Sequence, residues 1–191
     1  MIKIVLASQS PRRKQLLEQI GLDFEIDPSS YEEDMTLKMN PKELAEFLSL
    51  GKAKDVAERH KDSIIISADT IVAVDKEVFG KPKTPEKAKY MLQKLSSRAH
   101  SVITGFTIVD TEINKQISKS VETKVYFKNL SEQEIDSYIA TGEPLDKGGS
   151  YAIQGKAALF VEKIEGDYFN IVGLPIMPIA QELKNFGINV F

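Results

Sequence analysis

Apolar residues change period several times along the chain, and the changes mark its elements. Residues 2–8 form a β-branched run that predicts a buried strand, after which the spacing turns helical, with Leu16, Leu17 and Ile20 on one face. Ser10 is placed as N-cap, Pro11 as the first helical residue and Gly21 as the stop, so a strand runs straight into a helix N-terminus. Past the acidic stretch Tyr31-Glu32-Glu33-Asp34, Asn40 and Glu43 have capping-box spacing for a second helix reaching about His60. Ile64-Ile65-Ile66 predicts a central strand that delivers Ser67-Ala68-Asp69-Thr70 at its end, and Ile71 to Phe79 alternates about a turn at Asp75-Lys76.

The second half is read in the same way. Thr84-Pro85 opens a helix with Ala88, Met91, Leu92 and Leu95 inward. Residues 101–110 and 119–128 predict two strands, the second with Val121, Thr123, Val125 and Phe127 on one side, and they are expected to pair antiparallel. Ser131 and Glu134 cap a helix ending near Gly142. A glycine loop at Lys147-Gly148-Gly149 then leads into a predicted strand from Tyr151 to Val161. A last helix spans about 174–186, with Ile176, Ile179, Ala180 and Leu183 inward and Pro175 and Pro178 near its start, and a short strand at 188–191 closes the chain. Strands interleave with helices and hairpins are present too, which predicts an α/β fold with a mixed sheet flanked by helices, formed as one domain over 1–191.

Composition narrows what such a fold does. With 25 Lys+Arg against 28 Asp+Glu the net charge is −3, so no global basic field favours nucleic acid, and any phosphate binding must be local. The absence of cysteine removes disulfides, thiolate metal sites and cysteine nucleophiles. No apolar run approaches the roughly 20 residues that span a bilayer, and the amino terminus lacks the pattern of a signal peptide, so a cytoplasmic protein without a membrane partner is expected. No P-loop, G-x-G-x-x-G, H-E-x-x-H or G-x-S-x-G occurs, and His60 and His100 read as ordinary surface or helix-end residues.

Several side chains remain with two readings each. Ser8-Gln9-Ser10-Pro11-Arg12-Arg13 joins helix-terminal amides to two guanidinium groups and forms either an anion site or a helix cap with solvated arginines. Asp69, with Thr70, at the end of an apolar strand could orient water or a divalent cation, or simply turn the chain. Lys52 falls on an otherwise apolar helix face, between Leu48 and Val56, and must snorkel or find a partner. Glu32 and Glu33 offer a metal ligand or a solvated loop, and Lys81, between Gly80 and Pro82, reads as a loop lysine or a group facing the same mouth. The Gln154 carboxamide matches the donor and acceptor of a uracil or thymine imide edge, or lies on the outer side of a strand.

In combination, Ala7-Ser8-Gln9-Ser10-Pro11-Arg12-Arg13, Ala68-Asp69-Thr70-Ile71-Val72, Gly80-Lys81-Pro82, Gly142-Glu143-Pro144-Leu145-Asp146-Lys147, Tyr151-Ala152-Ile153-Gln154-Gly155 and Gly173-Leu174-Pro175 resemble the Maf family nearly end to end. The resemblance implies an α/β fold of the inosine-triphosphate-pyrophosphatase type, an elongated mixed sheet with two lobes around a central cleft, usually in a homodimer. It also implies hydrolysis of a nucleoside triphosphate to monophosphate and pyrophosphate with a divalent metal, Mg²⁺ or Mn²⁺. By the same resemblance Asp69 is the catalytic proton acceptor and a metal ligand with Glu33. Arg13, Lys52 and Lys81 hold phosphate, with Ser8 and Ser10 at the substrate corner. Arg12, Thr70 and Gln154 match the subfamily acting on dTTP and UTP. Glu32-Glu33 departs from the commoner Asp-Glu pair, and Gly148-Gly149-Ser150 from the more usual Gly-Ala before the tyrosine. Two alternatives stand beside this reading: a nucleotide-binding regulator of septum formation without turnover, with which the family is associated, and a house-cleaning pyrophosphatase directed at purines.

Overall fold

The computed structural model describes residues 2–191. Its strands form one seven-stranded mixed sheet in the order β2-β1-β3-β5-β6-β7, with β4 paired to β3, where β1 is Lys3–Leu6, β2 Glu25–Ile26, β3 Ser63–Val74, β4 Glu77–Phe79, β5 Ala99–Asp110, β6 Lys115–Phe127 and β7 Val161–Glu165. The helices are α1 Pro11–Gln19, α2 Pro41–Ala57, α3 Pro85–Leu95, α4 Glu132–Ala140, α5 Tyr168–Val172 and α6 Ile176–Lys184. The chain divides into two compact units, one of residues 1–69, 104–121 and 173–191, the other of residues 70–103 and 122–172.

In the first unit β1 runs parallel to β2 and β3, with Val5 opposite Ile65. The apolar runs predicted as a buried strand and a central strand are therefore neighbours, and both are covered. Val5 and Ile65 pack with Ala53 and Val56 of α2 and with Val109 of β5. Helix α2 begins at the expected capping box, with Asn40 accepting from the Glu43 amide and Glu43 accepting from the Asn40 amide. It lies on the sheet through a close backbone approach: a Cβ added to Gly105 would stand 2.2 Å from the carbonyl carbon and oxygen of Ala45. Buried hydroxyls secure the same seam. Ser67 donates to the Ser49 carbonyl at 2.7 Å, and the Ser49 and Thr107 hydroxyls bond at 2.8 Å.

The second unit closes over a separate core in which Leu92 and Leu95 of α3, Val125 and Phe127 of β6, and Tyr138 of α4 meet Tyr151, Ala157 and Phe160. Thr84 and Ser131 cap α3 and α4 as expected, and α4 stops before Gly142 at φ 75°. Strand β4 folds back antiparallel on β3 about the predicted Asp75-Lys76 turn.

Three expectations need correction here. Tyr151 to Val161 is no strand: residues 153–155 turn and Lys156–Phe160 forms a 3₁₀ helix, with strand geometry beginning only at Val161. The buried pair Ala157 and Phe160 is spaced i, i+3, as a three-residue turn requires. Residues 188–191 form no strand. His100 is a core residue, not a surface one; its Nε2 bonds the Tyr151 hydroxyl at 2.8 Å and its ring meets Phe127 edge-on. Burial lowers the His100 pKa to about 4.

Candidate functional site

The first unit brings together most of the side chains singled out in its sequence. Strand β1 ends at Leu6 and α1 begins at Pro11, and the corner between them is tied internally. The Ser8 hydroxyl accepts from the Ser10 amide at 3.2 Å and from Arg13 Nη1 at 3.3 Å, while the Ser10 hydroxyl caps α1 on the Arg13 amide. Arg13 Nε donates to the Gly173 carbonyl at 2.8 Å, so residues far apart in sequence hold one guanidinium. Arg13 is half-buried. Enclosure of its guanidinium lowers its pKa, the carboxylate of Asp69 acts in the opposite direction, neighbouring Arg12 again lowers it, and Glu33 raises it. An arginine stays charged under such a shift, so the corner is a fixed positive centre at the positive end of a helix dipole.

Lys52 has found partners. Its Nζ bonds Asp69 Oδ1 and lies 2.5 Å from Glu33 Oε1, so an ammonium bridges two carboxylates. The Asp69 side chain is 8% exposed and that of Lys52 13%, whereas Glu33 is 41% exposed, which makes Glu33 the open end of the cluster. Burial raises the Asp69 pKa; adjacent Lys52 pulls it down, Glu33 pushes it up, and Arg13 pulls it down. A carboxylate whose basicity is raised by burial is a better proton acceptor than a solvated one, and two cations, Lys52 and Arg13, act on it in the opposite sense.

The pairing follows from local structure. Ser49 and Lys52 are one turn apart on α2, and Ser67 and Asp69 are two residues apart on β3, so the Ser67–Ser49 bond fixes the register that sets Lys52 against Asp69. The acidic loop is fixed from its other side. Asp55 accepts from the hydroxyls of Ser29 and Ser30 at 2.8 and 3.0 Å and from the Ser30 amide at 2.9 Å, and these bonds, that of Ser29 first, hold its pKa down at about 2. The Tyr31 ring then lies on Gly51, where a Cβ would come within 2.4 Å of Cζ. Neither Gly51 nor Tyr31 is a candidate by sequence. A glycine in the interior of a long helix was the available signal, since it costs stability unless something must approach closely.

The remaining candidates belong to the second unit. Thr70 lies on β3, Lys81 is exposed in the loop after β4, and Gln154 is exposed in the turn 153–155. The loop 142–150 touches the surroundings of each: a Cβ on Gly148 would stand 3.3 Å from the Thr70 carbonyl, the Gly149 amide donates to the Gly80 carbonyl at 3.1 Å, and Glu143 reaches the Gln154 turn.

Among the described residues no three acidic or imidazole side chains gather into a metal site. Two carboxylate oxygens nevertheless converge on one cation, the Lys52 ammonium, and oxygen donors of this kind suit Mg²⁺ or Mn²⁺. No described helix is long and apolar enough to cross a membrane.

A mixed sheet flanked by helices, with a guanidinium held at a strand-to-helix corner and a lysine-bridged carboxylate pair in one unit, defines a protein of the α/β class. Solved structures with the same fold include the Ham1 protein of Staphylococcus aureus, at TM-score 0.54 and 12% identity over 96% of this chain and 99% of that one. Another is a HAM1 protein of Coxiella burnetii, at TM-score 0.50 and 15% identity over 97% and 100%. The chain belongs to the Maf family: the model described as Maf-like protein matches residues 3–186. Relatives named dTTP/UTP pyrophosphatase include those of Methanococcoides burtonii, 52% identical over all of this chain and 98% of that protein, and Methanosarcina mazei, 49% identical with the same coverage. The relative of that name from Bacillus pumilus is 47% identical over the whole of both chains.

Proposed function

We propose that this protein is a nucleoside triphosphate pyrophosphatase that hydrolyses dTTP and UTP to the monophosphate and pyrophosphate. The observation that carries the reading is the buried Asp69, bridged through Lys52 to Glu33, in the unit that also holds the Arg13 anion corner. Identity near one half to relatives named for this reaction, across the full chain, supports the same conclusion.

Water attacks the α-phosphorus in line with the bond to the bridging oxygen, that bond breaks, and pyrophosphate leaves. Asp69 orients the water and takes its proton, a role suited to a carboxylate whose basicity is raised by burial. Lys52 holds Asp69 in place and offsets the negative charge gathering on the phosphates. Arg13, set by Ser8 and Gly173, binds phosphate beside the α1 amides capped by Ser10, and Lys81 adds a further cation. A divalent cation held by Glu33 and Asp69 supplies charge neutralisation on the phosphate oxygens when bound. Arg12, Thr70 and Gln154 set base choice, the Gln154 carboxamide pairing with the imide edge of thymine or uracil. The protein is taken to act in the cytoplasm, as a homodimer.

The test is a panel of canonical and modified triphosphates assayed for pyrophosphate release over many turnovers with Mg²⁺ and with Mn²⁺. Preferential turnover of dTTP and UTP is expected. Tight nucleotide binding without pyrophosphate release would instead make the protein a regulator, and preference for inosine triphosphate would make it a purine-directed enzyme.

A further inference from the structure

We infer that Glu143 is a positioning residue for base selection, acting through the turn that carries Gln154; the inference rests on the reading of Gln154 above. The Gln154 side chain is exposed, so its aim rests on the backbone that carries it. The turn beneath it is held at both ends. On the near side the Ala152 amide donates to the Tyr138 hydroxyl at 3.3 Å, and that hydroxyl in turn donates to Glu143 Oε1 at 2.9 Å. On the far side the Lys156 amide donates to the two Glu143 oxygens at 3.1 and 3.3 Å. Between these ends the Gly155 amide donates to the Ala152 carbonyl at 2.9 Å, closing the turn.

The carboxylate also fills the place where any side chain at 155 would go. A Cβ there would stand 2.2 Å from Glu143 Oε1, so glycine at 155 and glutamate at 143 are one arrangement. Tyr138 is buried, and burial followed by the Glu143 bond raises its pKa, so the hydroxyl remains a donor throughout the working range. Glu143 sits at the head of the loop that also lies against Thr70 at Gly148 and carries the Gly149 bond to Gly80, next to Lys81. One loop thus supports the backbone around three proposed substrate contacts, and Glu143 is the member of it that reaches the base-reading turn. A turn fixed in this way offers its carboxamide in one orientation; a loose one presents it in many, and the advantage of the matching base is averaged away.

The experiment compares Glu143→Ala, Glu143→Gln, Gln154→Ala and the double variant Glu143→Ala/Gln154→Ala with the parent. The readouts are kcat/KM for dTTP and for dGTP, and the rate of tryptic cleavage after Lys156. Glu143→Ala is expected to lower the dTTP-to-dGTP ratio about tenfold, as Gln154→Ala does, with no further loss in the double variant. Glu143→Gln, which keeps one oxygen for the Lys156 amide, retains more of the ratio. Cleavage after Lys156 speeds up in Glu143→Ala but not in Gln154→Ala. A fall in turnover of every nucleotide at constant ratio in Glu143→Ala, while Gln154→Ala does change the ratio, overturns the inference and leaves the base-recognition reading standing. An unchanged ratio in Gln154→Ala overturns both, and unchanged cleavage in Glu143→Ala overturns the positioning role by itself.

Discussion

Gly51→Ala separates what helix energetics expect from what the site requires. Glycine in a helix interior is worse than alanine by about 1 kcal/mol, so on propensity alone the substitution stabilises a protein of this size by roughly 2–4 °C in Tm. Here the new Cβ would lie 2.4 Å from Tyr31 Cζ, with the ring carbons on either side at 2.6 and 2.7 Å. Carbon atoms in contact sit about 3.5–4.0 Å apart, so the ring must retreat by roughly 1 Å. Glu33, two residues beyond Tyr31, is then drawn away from the Lys52 ammonium that it meets at 2.5 Å. Misplacing a catalytic group by that distance costs up to about a hundredfold in rate. The expected result is a fall of about 10- to 100-fold in kcat/KM for dTTP, measured as pyrophosphate release, with Tm held within a few degrees of the parent. Parent-like turnover together with an ordinary rise in Tm would refute the reasoning, because it would show that neither Tyr31 nor Glu33 depends on the bare backbone at 51.

Other outcomes follow from the same geometry. With Asp69 as the proposed proton acceptor, Asp69→Asn is expected to lower kcat by about 10²- to 10⁴-fold while KM changes little; steady-state kinetics decides this. Arg13→Lys cannot reproduce paired bonds to Gly173 and Ser8, so KM for dTTP is expected to rise about tenfold, and an unchanged KM would remove Arg13 from phosphate binding. Chelation with EDTA should abolish turnover, and added Mg²⁺ or Mn²⁺ should restore it; full activity in EDTA would dismiss the metal. His100, with its pKa lowered to about 4 when folded against about 6.5 when unfolded, takes up its proton more readily in the unfolded chain. Its contribution is complete above about pH 6.5 and is lost as pH falls towards 4, amounting to about 2 kcal/mol between pH 7.5 and pH 5. Urea unfolding of the parent and His100→Gln should therefore diverge in pH dependence by that amount, and parallel curves would show that His100 is not buried neutral.

Much of the frame was legible because it is written in local chemistry. Ser10-Pro11, the Asn40/Glu43 and Ser131/Glu134 boxes, and Thr84-Pro85 each announce a helix start through a side chain that meets an amide three residues on, and each does so in the fold. Lys52 was legible as a question, a cation on an apolar face, but its answer needed α2 and β3 side by side. The stretch after Tyr151 misled because Tyr151 and Ile153 alternate like a strand, while the bonds that bend it come from Glu143 and Tyr138, on a different helix and loop. His100 was misjudged for a related reason: its environment comes from Phe127 and Tyr151, and nothing near it in sequence signals enclosure. Helix α5, five residues long, lies below the length at which periodicity can speak.

The contact of Gly105 with Ala45 joins main chain to main chain, beside the Ser49 and Thr107 hydroxyls that bond across the same seam. The location of Lys52 is thereby insulated from drift in the packing around it, since the neighbouring core can change size or shape while two backbones remain in touch. Mutational scanning should find position 105 intolerant even of alanine, among buried neighbours that accept one another's substitutes. The same property lets α2 and β5 be moved together: a redesign elsewhere in the chain that keeps position 105 as glycine keeps the distance between these two elements intact.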